Sequence, residues 1–111
     1  MNAQEAIAVV EALRAIPDIG HRAILTRYLP VDSPFLVEMS KDADGYVRMT
    51  AAWYLPVGSP RFVEMAKDKD WRVRANVARR LPFDSPLLLE LSKDSDRWVQ
   101  LEATSRLKEK A

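Results

Sequence analysis

Apolar residues recur every four positions over three stretches of the chain: Val47, Ala51 and Leu55; Val73, Val77 and Leu81; Val99, Ala103 and Leu107. Ala52 and Ala78 stand beside the first two sets. This spacing predicts amphipathic helices of about three turns, with one apolar stripe each and small residues where backbones approach closely. Asp44 stands where an N-cap belongs. Pro56 and Pro82 follow the last stripe residue and end the helix, because proline lacks an N–H and pushes the residue before it out of helical geometry. Two residues further on, Ser59-Pro60 and Ser85-Pro86 supply an N-cap serine followed by a proline suited to the first helical position. A second helix of about eight residues is therefore predicted, α or 3₁₀. Its apolar face is read as Leu36, Val37 and Met39 in one instance, Phe62, Val63 and Met65 in the next, and Leu88, Leu89 and Leu91 in the third. A Lys-Asp-x-Asp run then leads into the next long helix.

The same punctuation identifies an internal repeat. Leu29-Pro30-Val31-Asp32-Ser33-Pro34, Leu55-Pro56-Val57-Gly58-Ser59-Pro60 and Leu81-Pro82-Phe83-Asp84-Ser85-Pro86 lie 26 residues apart. At that offset residues 42–67 match 68–93 at Asp42, Asp44, Val47, Arg48, Ala52, Leu55, Pro56, Ser59, Pro60, Glu64 and Lys67. Asp94, Asp96, Val99, Ala103 and Leu107 continue the register forward; Asp18, Arg22, Thr26 and Leu29 continue it backward with poorer agreement. Residues 1–111 then read as a single all-α domain: an N-terminal capping helix over 1–17, repeats over 18–43, 44–69 and 70–95, and a terminal half repeat over 96–111. In the capping helix Asn2 and Glu5 resemble a capping box, and Ala6, Ile7, Val9, Val10, Leu13 and Ile16 form an apolar band ahead of Pro17. Neither helix of a repeat is stable alone, so each unit must bury its face against its neighbours, and an α-solenoid is the predicted architecture.

The Asp-x-x-Val-Arg-x-x-x-Ala-x-x-Leu run, as in Asp44 to Leu55, resembles the second half of a HEAT repeat. The fuller unit, with the proline pair, the serine between them and the double-aspartate turn all in register over residues 18–107, is more similar to the leucine-rich repeat variant (LRV) family. That resemblance implies a right-handed, armadillo/HEAT-like superhelix of alternating long and short helices. It implies a binding or assembly scaffold with no attached catalysis. The family's founding member carries a cysteine-ligated iron–sulfur cluster in an additional domain, which this chain, having no cysteine, cannot reproduce.

Composition narrows the function. Absent cysteines exclude disulfides, thiolate zinc sites and cysteine nucleophiles. Seventeen Lys and Arg against sixteen Asp and Glu leave a net charge of +1, which argues against a uniformly basic nucleic-acid binder. No stretch approaches the roughly 18–20 apolar residues of a membrane span. The N-terminus lacks the basic start of a secretory signal, and with the missing cysteines this points to a soluble, cytoplasmic protein.

Candidate chemistry is sparse. His21 occupies the stripe position of Val47, Val73 and Val99 and is read as a packing residue. Arg22, Arg48 and Arg74 recur in register, as do Asp18, Asp44, Asp70 and Asp96, so an arginine of one unit reaching a turn aspartate of another is expected to form a ladder of ion pairs. The aspartate pairs 42/44, 68/70 and 94/96 lack the further oxygens of a calcium loop and are read as caps. Serines 33, 59 and 85 are caps as well. Tyr46, Trp71 and Trp98, near the helix starts, are expected to wedge between units. The residues ahead of each Leu-Pro are expected to share one surface: Arg27 and Tyr28, Trp53 and Tyr54, Arg79 and Arg80, with Arg106 in the last half repeat. Interleaved Arg and aromatic side chains suit a protein-interaction hot spot, or a phosphate backbone with stacked bases. A non-enzymatic scaffold with a protein partner, no cofactor and no metal is the reading adopted. A nucleic-acid-binding module is the first alternative. Self-assembly into homo-oligomers through the solenoid ends, where Leu101 and Leu107 lack cover, is the second.

Overall fold

A computed structural model describes residues 34–108, together with Gln4, Glu5, Ala8, Glu11, Ala12, Ala23 and Thr26. Those isolated positions are all helical, the first five exposed and Ala23 and Thr26 buried. Over the continuous part the chain alternates short and long helices: α1 (Pro34–Met39), α2 (Gly45–Tyr54), α3 (Arg61–Met65), α4 (Trp71–Arg80), α5 (Pro86–Leu91) and α6 (Arg97–Lys108). No strand occurs among the described residues, and the protein is all-helical there. None of its described helices is long and apolar enough to cross a membrane. The chain divides into two units, Met1–Pro56 and Val57–Ala111.

In the first unit α1 packs against α2. Phe35, Leu36 and Met39 of α1 and Val47, Ala51 and Ala52 of α2, with Leu55 after it, are buried. The helix starts because Asp44, in extended geometry (φ −95°, ψ 131°), accepts a hydrogen bond from the Tyr46 N–H. It stops because Leu55, ahead of Pro56, turns to φ −63° and ψ 146° after its N–H has bonded the Ala51 carbonyl.

The second unit repeats these devices and adds a further helix pair. Asp70 caps α4 through the Arg72 N–H, and Leu81 ends it at φ −71° and ψ 145° ahead of Pro82. Helix α4 packs against α3, α5 and α6, and α5 packs against α6. Phe62, Met65, Val73, Val77, Ala78, Leu81, Leu88, Leu91, Val99 and Ala103 are buried there. Each large apolar side chain so enclosed contributes about 1.5–3 kcal/mol relative to exposure, enough to hold a five-residue helix that has no stability of its own.

The short helices are α-helical with 3₁₀-type exits. Ser40, Ala66 and Ser92 each donate to the carbonyl four residues back, and the next two residues each donate only three back. Ser85 caps α5 by accepting from the Leu87 N–H, with Pro86 in the first turn. Ser59 accepts from the Arg61 N–H at 3.2 Å in the same way, although α3 begins one residue later in its register. One expectation changes. The middle residue of each predicted apolar trio lies off the core: Val63 and Leu89 are exposed and Val37 is half-buried. Successive helical residues are about 100° apart, so only the outer two of each trio share the buried face.

Candidate interaction surface

The turns that aim the long helices follow one hydrogen-bonding scheme. In each Asp-x-Asp the first carboxylate accepts from the backbone N–H of the second: Asp42 from Asp44 at 2.9 Å, Asp68 from Asp70 at 2.8 Å, and Asp94 from Asp96 at 2.8 Å. The second carboxylate accepts from the N–H two residues on, at Tyr46, Arg72 and Trp98. A side chain one turn into the helix then reaches back six residues. Arg48 Nη1 donates to the Asp42 carbonyl at 2.9 Å, Arg74 Nη1 to the Asp68 carbonyl at 2.6 Å, and Gln100 Nε2 to the Asp94 carbonyl. Both aspartates and the polar side chain therefore serve the turn, and the recurrence of Arg22, Arg48 and Arg74 has a structural cause in the last two; Arg22 lies outside the described residues.

Arg74 also forms an ion pair of the kind expected. Its Nε and Nη2 bond Asp94 Oδ2 and Oδ1 at 2.9 and 3.1 Å, tying α4 to the turn that opens α6. The acceptor is the first aspartate of that turn, while Asp96, the second, is occupied by the Trp98 and Val99 N–H groups. With both side chains largely enclosed, the fork geometry satisfies charge and hydrogen-bonding capacity together.

The paired positions ahead of each Leu-Pro separate on the helix surface. Trp53 is 43% exposed, Arg79 is exposed, and Ser105 at the matching position of α6 is exposed. Tyr54, Arg80 and Arg106, one residue later and 100° round the helix, are half-buried. Arg106 turns back on its own unit: its Nε donates to the Leu81 carbonyl at 3.1 Å and its guanidinium lies 4.5 Å from the Phe83 ring centroid. It covers the end of α4, leaving that side chain's charge committed within the fold. Arg79 Nη2 donates to Glu102 Oε1 at 2.7 Å. That hydrogen bond, opposed by partial desolvation and aided by the carboxylate's charge, raises the Arg79 guanidinium above its ordinary pKa. Arg27, Tyr28, His21, Asp18 and Ser33 lie outside the described residues.

Three aromatic residues depart from their expected role. Tyr46, Trp71 and Trp98 are exposed rather than wedged between helices. Tyr46 and Trp98 each precede a buried valine by one residue and Trp71 precedes Val73 by two, so the helical rotation carries all three rings off the stripe. Distance from the stripe, counted in 100° steps, was the signal that placed them outside. Leu101 is exposed as well, and Leu107 is half-buried.

Among the described residues no group of three or more His, Asp or Glu side chains is arranged to hold a metal ion. Ser59 and Ser85 are engaged as acceptors at helix starts. The outward features are aromatic, aliphatic and guanidinium groups on helices whose opposite faces are packed. No protein-family model, curated protein or solved structure matches the chain.

Proposed function

We propose that this protein is a non-enzymatic repeat scaffold, a right-handed α-solenoid of units similar to leucine-rich repeat variant and HEAT-like repeats, that binds a protein partner through the outward positions of its long helices. The observation that carries this reading is the register position shared by Trp53, Arg79 and Ser105: it is exposed in three successive long helices, and in two of them it holds a residue type enriched at interaction hot spots. Each of these residues stands on a helix anchored by a buried stripe and a capped turn, which lowers the entropy lost when a partner docks. A protein partner fits better than a nucleic acid because Arg79 is already paired with Glu102 and Arg106 with the Leu81 carbonyl and Phe83.

The test is capture from the native source with the wild-type chain and with a Trp53→Ser/Arg79→Ser double variant, followed by titration of the captured protein in purified form. Both positions are exposed, so the helical circular dichroism should be unchanged while affinity falls at least about tenfold. Retained affinity would place the surface elsewhere. Titration with single-stranded and duplex DNA at two salt concentrations separates the alternative, since phosphate binding strengthens steeply as salt falls.

A further inference from the structure

The long helices α2, α4 and α6 start on the same capping device but differ in the residue that follows the capping aspartate: Gly45 after Asp44, Trp71 after Asp70 and Arg97 after Asp96. Asp44-Gly45 is the single Asp-Gly pair of the chain, and no Asn-Gly pair accompanies it. Gly45 is the first residue of α2 and has no positive φ, so the turn itself does not demand a glycine there. Asp44 and Gly45 are both half-buried, within reach of water. An aspartate carboxyl group stands one five-membered ring away from the nitrogen of the residue that follows it. Closing that ring brings the nitrogen against Cγ, an approach that a Cβ on the following residue obstructs and a glycine leaves open.

We propose that Asp44-Gly45 is a modification site, at which Asp44 isomerises to isoaspartate whenever the turn that holds it opens. This is independent of the Trp53 and Arg79 surface. In the first step the Gly45 nitrogen bonds to Cγ of the protonated Asp44 carboxyl group. The Cγ–OH bond breaks, and the hydroxyl leaves as water with the proton from nitrogen. In the second step water adds to the Asp44 backbone carbonyl carbon, whose bond to the Gly45 nitrogen breaks, so that the main chain now runs through Cγ. The water lost is regained, and no oxidant or other co-reactant takes part. The folded turn holds this reaction back. Ring closure needs Cβ and the Gly45 nitrogen eclipsed across the Cα–C bond, and Asp44 at ψ 131° keeps them apart. Asp44 is fixed there by three bonds: its N–H donates to Asp42 Oδ1 at 2.9 Å, its Oδ1 accepts from the Tyr46 N–H at 2.8 Å, and its carbonyl accepts from the Arg48 N–H at 3.2 Å. Arg48 Nη1 also pins the Asp42 and Ala43 carbonyls, at 2.9 and 3.0 Å. The chemistry therefore runs from the open turn, at a rate set by the open population. Isoaspartate has an additional carbon in the main chain and its carboxylate on a different atom, so it cannot rebuild the cap. The change is one-way and loosens the start of α2.

The test is prolonged warm incubation of the full chain near neutral pH, followed by digestion and electron-transfer fragmentation, which distinguishes isoaspartate from aspartate at equal mass. Asp70 and Asp96, capped in the same way, are internal controls. Isoaspartate should accumulate at position 44 at least about tenfold faster than at 70 or 96. Gly45→Ala, which the absence of a positive φ admits, should slow it at least about tenfold. Arg48→Met releases the Asp42 and Ala43 carbonyls and should speed it at least about fivefold in the folded chain. In urea sufficient to unfold the protein, conversion at 44 should be faster still, and Arg48→Met should add nothing because no turn remains. Equal accumulation at the three aspartates overturns the proposal, as does an unchanged rate in Gly45→Ala. So does the absence of isoaspartate at 44 in the folded chain over a period in which the unfolded chain converts, and so do equal rates in the folded and unfolded chain.

Discussion

Arg74 and Arg79 leave the same helix, five residues apart, and each ends on a carboxylate of the chain that follows. The first sits between Val73 and Ala75, both buried, and its pair with Asp94 leaves only 14% and 11% of the two side chains exposed. The second sits in the last turn of α4, and its pair with Glu102 leaves 50% and 26% exposed. Water competes for the outer pair and is largely excluded from the inner one. The inner guanidinium also serves the Asp68 carbonyl and so ties the turn before α4 to the turn after α5. The same guanidinium–carboxylate pairing, a few residues apart, thus makes a structural lock in one place and an adaptable surface contact in the other.

The largest effect should come from removing the lock. Arg74→Met leaves the Asp94 carboxylate enclosed without its cation and should cost about 3 kcal/mol in urea unfolding. A loss below about 0.5 kcal/mol would show that the two pairs are equivalent after all. Arg74→Gln should recover about half of that loss, because a glutamine at this register bonds the turn carbonyl, as Gln100 does in the following turn. A double-mutant cycle of Arg74→Gln with Asp94→Asn isolates the charge component, expected at about 1.5 kcal/mol or more. Asp96→Ala comes next: it removes the acceptor for the Trp98 and Val99 N–H groups without touching the ion pair, and should cost about 1 kcal/mol.

The smallest effect belongs to the outer pair. Arg79→Ala should cost about 0.5 kcal/mol or less at low salt, and calorimetry in about 1 M salt should find the difference gone. Its pH dependence has a definite sign. A cation whose pKa is raised on folding contributes fully below its unfolded value and loses that contribution as pH rises through the folded one. For a guanidinium both values lie above the alkaline range of ordinary measurement, so the wild-type to Arg79→Ala difference should not change between about pH 7 and about pH 10. A difference that shrinks across that interval would assign the contribution to another group.

Much of the local structure was legible from residue type and spacing. Asp44 and Asp70 as caps, Leu55 and Leu81 as the last residues before an extended turn, and the buried stripe Val47, Ala51, Ala52 and Leu55 all depend on interactions within a few residues. The trios of the short helices were read less well, because two adjacent apolar residues and a third two positions on were taken as one face, although only the first and last lie close together round the helix. Val63 and Leu89 are exposed because they lie about 100° or more round the helix from the buried pairs Phe62/Met65 and Leu88/Leu91. The candidate surface was legible in part: Trp53 and Arg79 point outward, while Arg106 has an inward alternative in the Leu81 carbonyl and the Phe83 ring, more than twenty residues earlier.

Sequence alone determined where α2 and α4 begin and end, since caps, prolines and aspartate turns act through bonds to neighbours two to six residues away. It also determined which stripe must be buried, since periodicity states that without reference to a partner. Tertiary structure decided which aspartate receives Arg74, why Ala75 is covered and Leu101 is open, and which member of each outward pair remains available. Those outcomes depend on what lies across from a helix, and the groups that meet stand 20 or more positions apart in the chain.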